Sequence, residues 1–153
     1  MTNTDVLKLE NQLCFSIYAA SRAITKIYRP FLDTLGITYP QYLVMLVLWE
    51  HTTLSLKELG NILYLDSGTL TPLLKRLEGM QLIKRERSRE DERVLCVSIT
   101  EKGLKMKQQA MGIPECILDA IDVDIPLLVT LKKEMDELLI NLKKQDHVEK
   151  EEK

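Results

Sequence analysis

Three thiols are the most reactive groups in the chain, and the stretch NQLCFSIY sets the first of them, Cys14, between Leu13 and Phe15. A thiol can serve as a small apolar core residue, a metal ligand, half of a disulfide or a nucleophile, and its surroundings decide which. Cys14, Cys96 and Cys116 are odd in number, contain no C-x-x-C pair and have only His51 and His147 as nitrogen partners. Neither a zinc site nor a secreted disulfide framework is expected, and no cofactor is implied. As a sensor, Cys14 would react as the thiolate. Peroxide converts a thiolate to sulfenic acid, which condenses with a second protein cysteine or a small thiol. The competing role is a buried small hydrophobe, the commoner fate of a free cysteine. Cys96 alternates with Leu95 and Val97 in a strand-like run and reads as structural, and His51, behind Trp49 and Glu50 at a helix end, reads as a capping or surface group.

The elements that must position these groups are mostly helical. Leu13, Ile17, Ile24, Ile27 and Phe31 recur at helical steps, predicting a long first helix with one apolar stripe that ends near Pro30 or soon after. A turn at Leu35-Gly36 leads to Thr38 as N-cap, with Pro40 in the first turn of QYLVMLVLWE, a helix apolar nearly all round and therefore central. Ser55 and Glu58 form a capping box that opens LKELGNILY. Asp66-Ser67-Gly68 then precedes TLTPLLKRLEG, whose Leu70, Leu73, Leu74 and Leu77 make a buried stripe, with Pro72 expected in the first turn. Two short helices and a tight turn form a helix-turn-helix. LIKRER and VLCVSIT, joined by SREDER, predict a β-hairpin. Thr100 caps a further helix. Leu128, Leu131, Met135, Leu138 and Leu142 keep the three- and four-residue spacing of a helix-packing seam that a second subunit could complete.

At 153 residues the chain has room for one domain, and its 45% hydrophobic and 29% charged residues are those of a globular protein. Aromatic residues, at 5%, are too sparse for a base- or sugar-stacking platform. No apolar run is long enough to span a bilayer, and MTNTDVLKLE lacks the regions of a signal peptide, so a cytoplasmic protein without membrane contact is expected. The tail KKQDHVEKEEK, mixed in sign and poor in apolar residues, reads as a frayed helix end.

The net charge of −2 hides a local asymmetry, because Lys75 to Arg89 holds six basic and two acidic residues, a local +4. Helix-turn-helix plus hairpin is the winged-helix arrangement, in which the second helix enters a major groove about 12 Å wide. Ser67, Thr69 and Thr71 open that helix and suit phosphates or base edges, and Lys75 and Arg76 follow as phosphate partners. Arg85 belongs to the same basic wing segment, and Arg87, Arg89 and Arg93 are placed for the adjacent minor groove, with Asp91 set to hold Arg93 in one pose. A merely solvated charged hairpin is the alternative for the basic run alone, and the helix pair upstream argues against it.

DSGTLTPLLKRLEGMQLIKRERSREDERVLCVSITEKG resembles the winged-helix core of the MarR family, with its D-x-R wing tip and L/I-T-x-x-G exit. NQLCFSIYAASR, ITYPQYLVMLVLWE and LYLDSGTLTPLLKRLE narrow the resemblance to the organic hydroperoxide resistance regulators (OhrR), over nearly the whole chain to about residue 113. The resemblance implies a mainly α fold with a small β-hairpin, a single winged-helix domain over 1–153. Within it, a DNA-binding part lies at about 38–100 and dimerisation helices at about 5–34 and 113–146. It implies a homodimeric repressor, not an enzyme, that leaves double-stranded operator DNA when an organic hydroperoxide oxidises a cysteine. The reactive cysteine of the family falls on Cys14, and the two tyrosines that hydrogen-bond it fall on Tyr28 and Tyr39. Cys14 and Tyr28 are 14 residues apart on one predicted helix. At 1.5 Å per residue that is about 21 Å, so a shared site would need Tyr28 from another subunit. Two departures stand out. Gln81 replaces the usual glycine before Leu82-Ile83. Cys116 lies about one helical turn before the resolving thiol of two-cysteine members, which leaves open whether it or a low-molecular-weight thiol closes the cycle. Two other readings compete: a winged-helix repressor released by an aromatic or phenolic ligand, and a thiol peroxidase, for which Cys14 lacks a proline-threonine motif and a βαβ setting.

Overall fold

The computed structural model describes residues 5–151, with side chains to residue 145, so the last part of the charged tail lies outside the described side chains. The chain divides into two units, Met1–Ile117 and Leu118–Lys153, where the sequence reads as one domain. Two single 3-10 turns, Asp5–Leu7 and Leu9–Asn11, come first, in place of helix from residue 5. The helix α1 (Leu13–Leu35) runs through Pro30 to Gly36, which closes it at φ 70° with its amide on the Asp33 carbonyl at 3.1 Å, while Ile37 returns to Leu32. A proline costs one backbone bond, and the neighbouring turns carry the helix past it. Only Leu32 and Leu35 of α1 are buried, and Leu13 and Ile24 on the apolar stripe are exposed in the single chain.

Helix α2 (Tyr39–His51) is the centre of the first unit, with Tyr42, Val44, Met45 and Leu48 all buried. Gln41 accepts the Thr38 amide at 2.9 Å and closes the capping box that starts the helix. A short strand, β1 (Thr53–Ser55), then joins a three-stranded antiparallel sheet of order β1-β3-β2, with β2 Ile83–Arg87 and β3 Leu95–Ile99. The hairpin was legible in the sequence. The third strand was not, since three residues are too few to show alternation.

Between β1 and β2 lie α3 (Leu56–Leu63) and α4 (Ser67–Gly79). Ser55 and Glu58 make the expected reciprocal capping bonds at 3.1 and 2.8 Å, and Asp66 caps α4 by accepting the Thr69 amide at 2.7 Å. Pro72 sits inside α4, one turn deeper than expected, where the bond it forgoes is that to the Gly68 carbonyl. Leu70, Leu74 and Leu77 of the predicted stripe are fully buried, and Leu73 is half-buried. The first unit closes with α5 (Glu101–Ala110), capped by Thr100, and the start of α6 (Ile113–Ile121). The second unit holds the end of α6 and α7 (Ile125–Glu151), whose Leu127, Val129, Leu131 and Leu142 are exposed. Among the described residues no single helix is long and apolar enough to cross a membrane.

Candidate redox site and nucleic-acid interface

Cys14 is the second residue of α1 and is exposed in the single chain, which disposes of the buried-hydrophobe role within one protomer. Tyr28 and Tyr39, from α1 and the start of α2, pack with their rings tilted by 55° and their centroids 4.8 Å apart, and Tyr42 joins them at 5.8 and 6.4 Å. Burial raises all three phenols above their ordinary value, and the mutual proximity of the rings adds to this for Tyr28 and Tyr42. Each is therefore a protonated hydrogen-bond donor at neutral pH. Cys14 and Tyr28 share one continuous helix, so their separation in a single chain stays about 21 Å. An open groove of about 830 Å³ runs along α1 between these two places, with Phe15 at one end and Tyr39 and Pro40 at the other. Cys116, on α6, is exposed, and Cys96, on β3 opposite Glu86 and Ser55, is half-buried.

Sequence reasoning missed Tyr42 and Trp49. Tyr42 looked like one more apolar residue of the central helix, though its spacing of three from Tyr39 was a signal. Trp49 packs edge-on to Tyr42 at 6.2 Å and donates from Nε1 to the Gly103 carbonyl at 2.9 Å, tying the tyrosine cluster to α5.

The second candidate surface is built from α3, α4 and the wing. A concavity of about 620 Å³ is lined by Lys57, Ser67, Arg87 and Arg93 among others, so the opening of α4 and the base of the hairpin face one space. Thr69, Lys75, Arg76 and Arg89 are exposed. Thr71 is half-buried and its hydroxyl donates back to the Ser67 carbonyl at 2.6 Å. Asp91 forks the Arg93 guanidinium at 3.1 and 3.3 Å and accepts its amide at 3.1 Å, while the Arg93 side chain stays 91% exposed. Asp91 thus holds Arg93 in one outward pose, as its place two residues earlier suggests. Lys57 was missed because it is a single cation in the first turn of a short helix. Arg85 departs from its neighbours, since its guanidinium is committed to Glu78.

A family model described as the transcriptional regulator SarA/Rot matches residues 26–110. The organic hydroperoxide resistance transcriptional regulator of Bacillus subtilis (strain 168) is 60% identical over 114 residues, covering 74% of this chain and 78% of that one. This chain belongs to the MarR family, in its organic hydroperoxide resistance branch. It is a winged-helix transcriptional regulator. Two structures of AbfR, a protein of Staphylococcus epidermidis, are similar over most of their length. Reduced AbfR bound to DNA is 38% identical with a TM-score of 0.73, covering 92% of this chain and 99% of that one. Disulfide-formed AbfR is 39% identical with a TM-score of 0.61, covering 89% and 96%. As a MarR-family member the chain has a physical reason for its L/I-T-x-x-G exit. A Cβ at Gly103 would stand 2.3 Å from the Leu82 carbonyl oxygen and 2.8 Å from Ile99, so only glycine lets α5 leave the sheet this closely.

Proposed function

We propose that this protein is a homodimeric repressor that binds double-stranded operator DNA when reduced and releases it when an organic hydroperoxide oxidises Cys14. The Cys14 thiolate attacks the terminal peroxide oxygen, the O–O bond breaks, and the alkoxide leaves with a proton as the alcohol, giving a sulfenic acid. A second thiol, Cys116 or a low-molecular-weight thiol, then displaces water and forms the disulfide. Tyr28 and Tyr39 of the partner subunit donate to the thiolate, and Phe15 gives the site an apolar wall suited to an organic peroxide.

One observation carries this reading: a single unbroken helix keeps Cys14 apart from the Tyr28–Tyr39 pair, with an open groove between them. A second protomer can bring the two together, and oxidation then acts on the interface that sets the spacing of two half-sites, roughly 34 Å. On the DNA side, Ser67, Thr69, Thr71, Lys75 and Arg76 meet the major groove and its phosphates, and Arg87, Arg89 and Arg93, the last held by Asp91, meet the minor groove. The regulator role, without catalytic turnover, is favoured over a thiol peroxidase because the charged surfaces then have a use.

The test is anisotropy of labelled upstream DNA at fixed salt, for wild type and Cys14→Ser, with a stoichiometric organic hydroperoxide and then dithiothreitol. Wild type should release and rebind, and Cys14→Ser should stay bound. A serine variant that still releases would overturn the assignment. The groove also fits a second reading, release by a bound aromatic ligand. Thiol-blocked protein that lets go of DNA when such a ligand is added would establish it.

A further inference from the structure

Recognition helix and wing are separate elements that must meet adjacent grooves in one register, and a charged pair of side chains bridges them. Glu78 lies in the last turn of α4 and Arg85 in the middle of β2. The Arg85 guanidinium donates from Nε to Oε2 at 3.2 Å and from Nη2 to Oε1 at 3.1 Å. Its backbone amide also donates to Oε2, at 3.0 Å. β2 is an edge strand, so this amide goes to the helix instead of into the sheet. Two parallel charge-assisted bonds fix orientation as well as distance, and the third fixes the strand itself. The Arg85 side chain is 19% exposed, whereas Lys75, Arg76, Lys84 and Arg87 of the same basic segment are exposed. The connection between the two elements is only three residues, with Gln81 in the left-handed region at φ 63°. Hydrogen bonds from Arg85, and then its charge, hold the Glu78 carboxyl below the usual carboxylate range.

We infer that Glu78 and Arg85 form a strut that sets the angle between α4 and the wing, making Arg85 a positioning residue and Glu78 a determinant of operator specificity. A slide or rotation of α4 against β2 breaks three bonds together, so the two groove contacts are made in one geometry. This inference rests on the DNA-binding reading.

Operator and random-sequence affinities of the full-length protein, each as a function of salt, discriminate the strut from a phosphate contact. Glu78→Ala should weaken operator binding about tenfold and leave random DNA bound as well as before. Arg85→Met should do the same with an unchanged salt slope, and the double variant should be no worse than either single one. Glu78→Ala that binds operator as tightly as wild type overturns the strut, as does Arg85→Met with a salt slope reduced by about one, the sign of a lost phosphate contact. A wild-type protein that does not distinguish its upstream DNA from random DNA would overturn the DNA reading itself. The strut is then read without DNA, by NMR titration of the Glu78 carboxyl in free protein. That carboxyl should return to its ordinary value in Arg85→Met, and no movement overturns the strut.

Discussion

Gln81 takes a backbone conformation, φ 63°, that side chains with a Cβ rarely adopt. Its amide bonds the Glu78 carbonyl at 2.9 Å and its carbonyl accepts the Thr100 hydroxyl at 2.6 Å, so the surrounding bonds hold it there. Gln81→Gly should therefore raise stability by about 1 kcal/mol, read as a higher midpoint in thermal unfolding, and a lower midpoint would refute the strain. The tyrosines make a second prediction at this scale. Because burial raises the folded values of Tyr28, Tyr39 and Tyr42 above 10.0, the packed cluster contributes fully below that pH and loses its contribution as pH rises through the higher folded values. Alkaline difference absorbance should show late-titrating phenols, and Tyr28→Phe, Tyr39→Phe and Tyr42→Phe should each remove one late step. Unchanged late absorbance in these variants would count against the buried cluster.

At the scale of elements, α2 links the two candidate surfaces. It starts with Tyr39 and Tyr42 and ends with Trp49, which reaches α5 through the Gly103 carbonyl. Lys107 of α5 returns a bond to the Trp49 carbonyl at 3.2 Å. Thr52, at φ 65°, then turns the chain into β1, so α2 passes from tyrosine cluster to wing sheet within a few residues. Gly103 is the tight point of this joint. Gly103→Ala should destabilise by about 1–3 kcal/mol through overpacking against Leu82 and Ile99, and a thermal midpoint equal to wild type would contradict the close approach. The caps at Thr38, Ser55 and Thr100, and the buried stripe of α4, were legible in the sequence because capping and periodicity are local rules. The depth of Pro72 in α4 was not, because a helix accepts a proline past its first turn when the rest of the helix is held by a buried stripe such as Leu70, Leu74 and Leu77.

For the whole molecule, the uneven distribution of charge and apolar surface decides the behaviour. A net charge of −2 coexists with a wing segment of +4, so binding to DNA should weaken steeply with salt even though the protein is acidic overall. Leu13 and Ile24 on α1, and Leu131 and Leu142 on α7, are exposed in the single chain. Apolar stripes of this kind mark contact surfaces. Sedimentation at micromolar concentration should give twice the 17.7 kDa chain mass, and Leu13→Asp should shift the protein toward monomer and weaken operator binding with it. A monomeric wild type with full operator affinity would refute the dimer.

The sequence alone determined the chemistry available and most of the scaffold: Cys14 on the long first helix, the paired helices, the basic hairpin and the family these residues resemble. These follow from residue type, capping and period, which act over a few positions. Tertiary structure alone decided that Cys14 lies exposed, that Tyr42 and Trp49 extend the tyrosine pair toward α5, and that Arg85 belongs to Glu78. Each depends on residues from different elements meeting in space, and no local pattern records which of several similar cations a given carboxylate will hold.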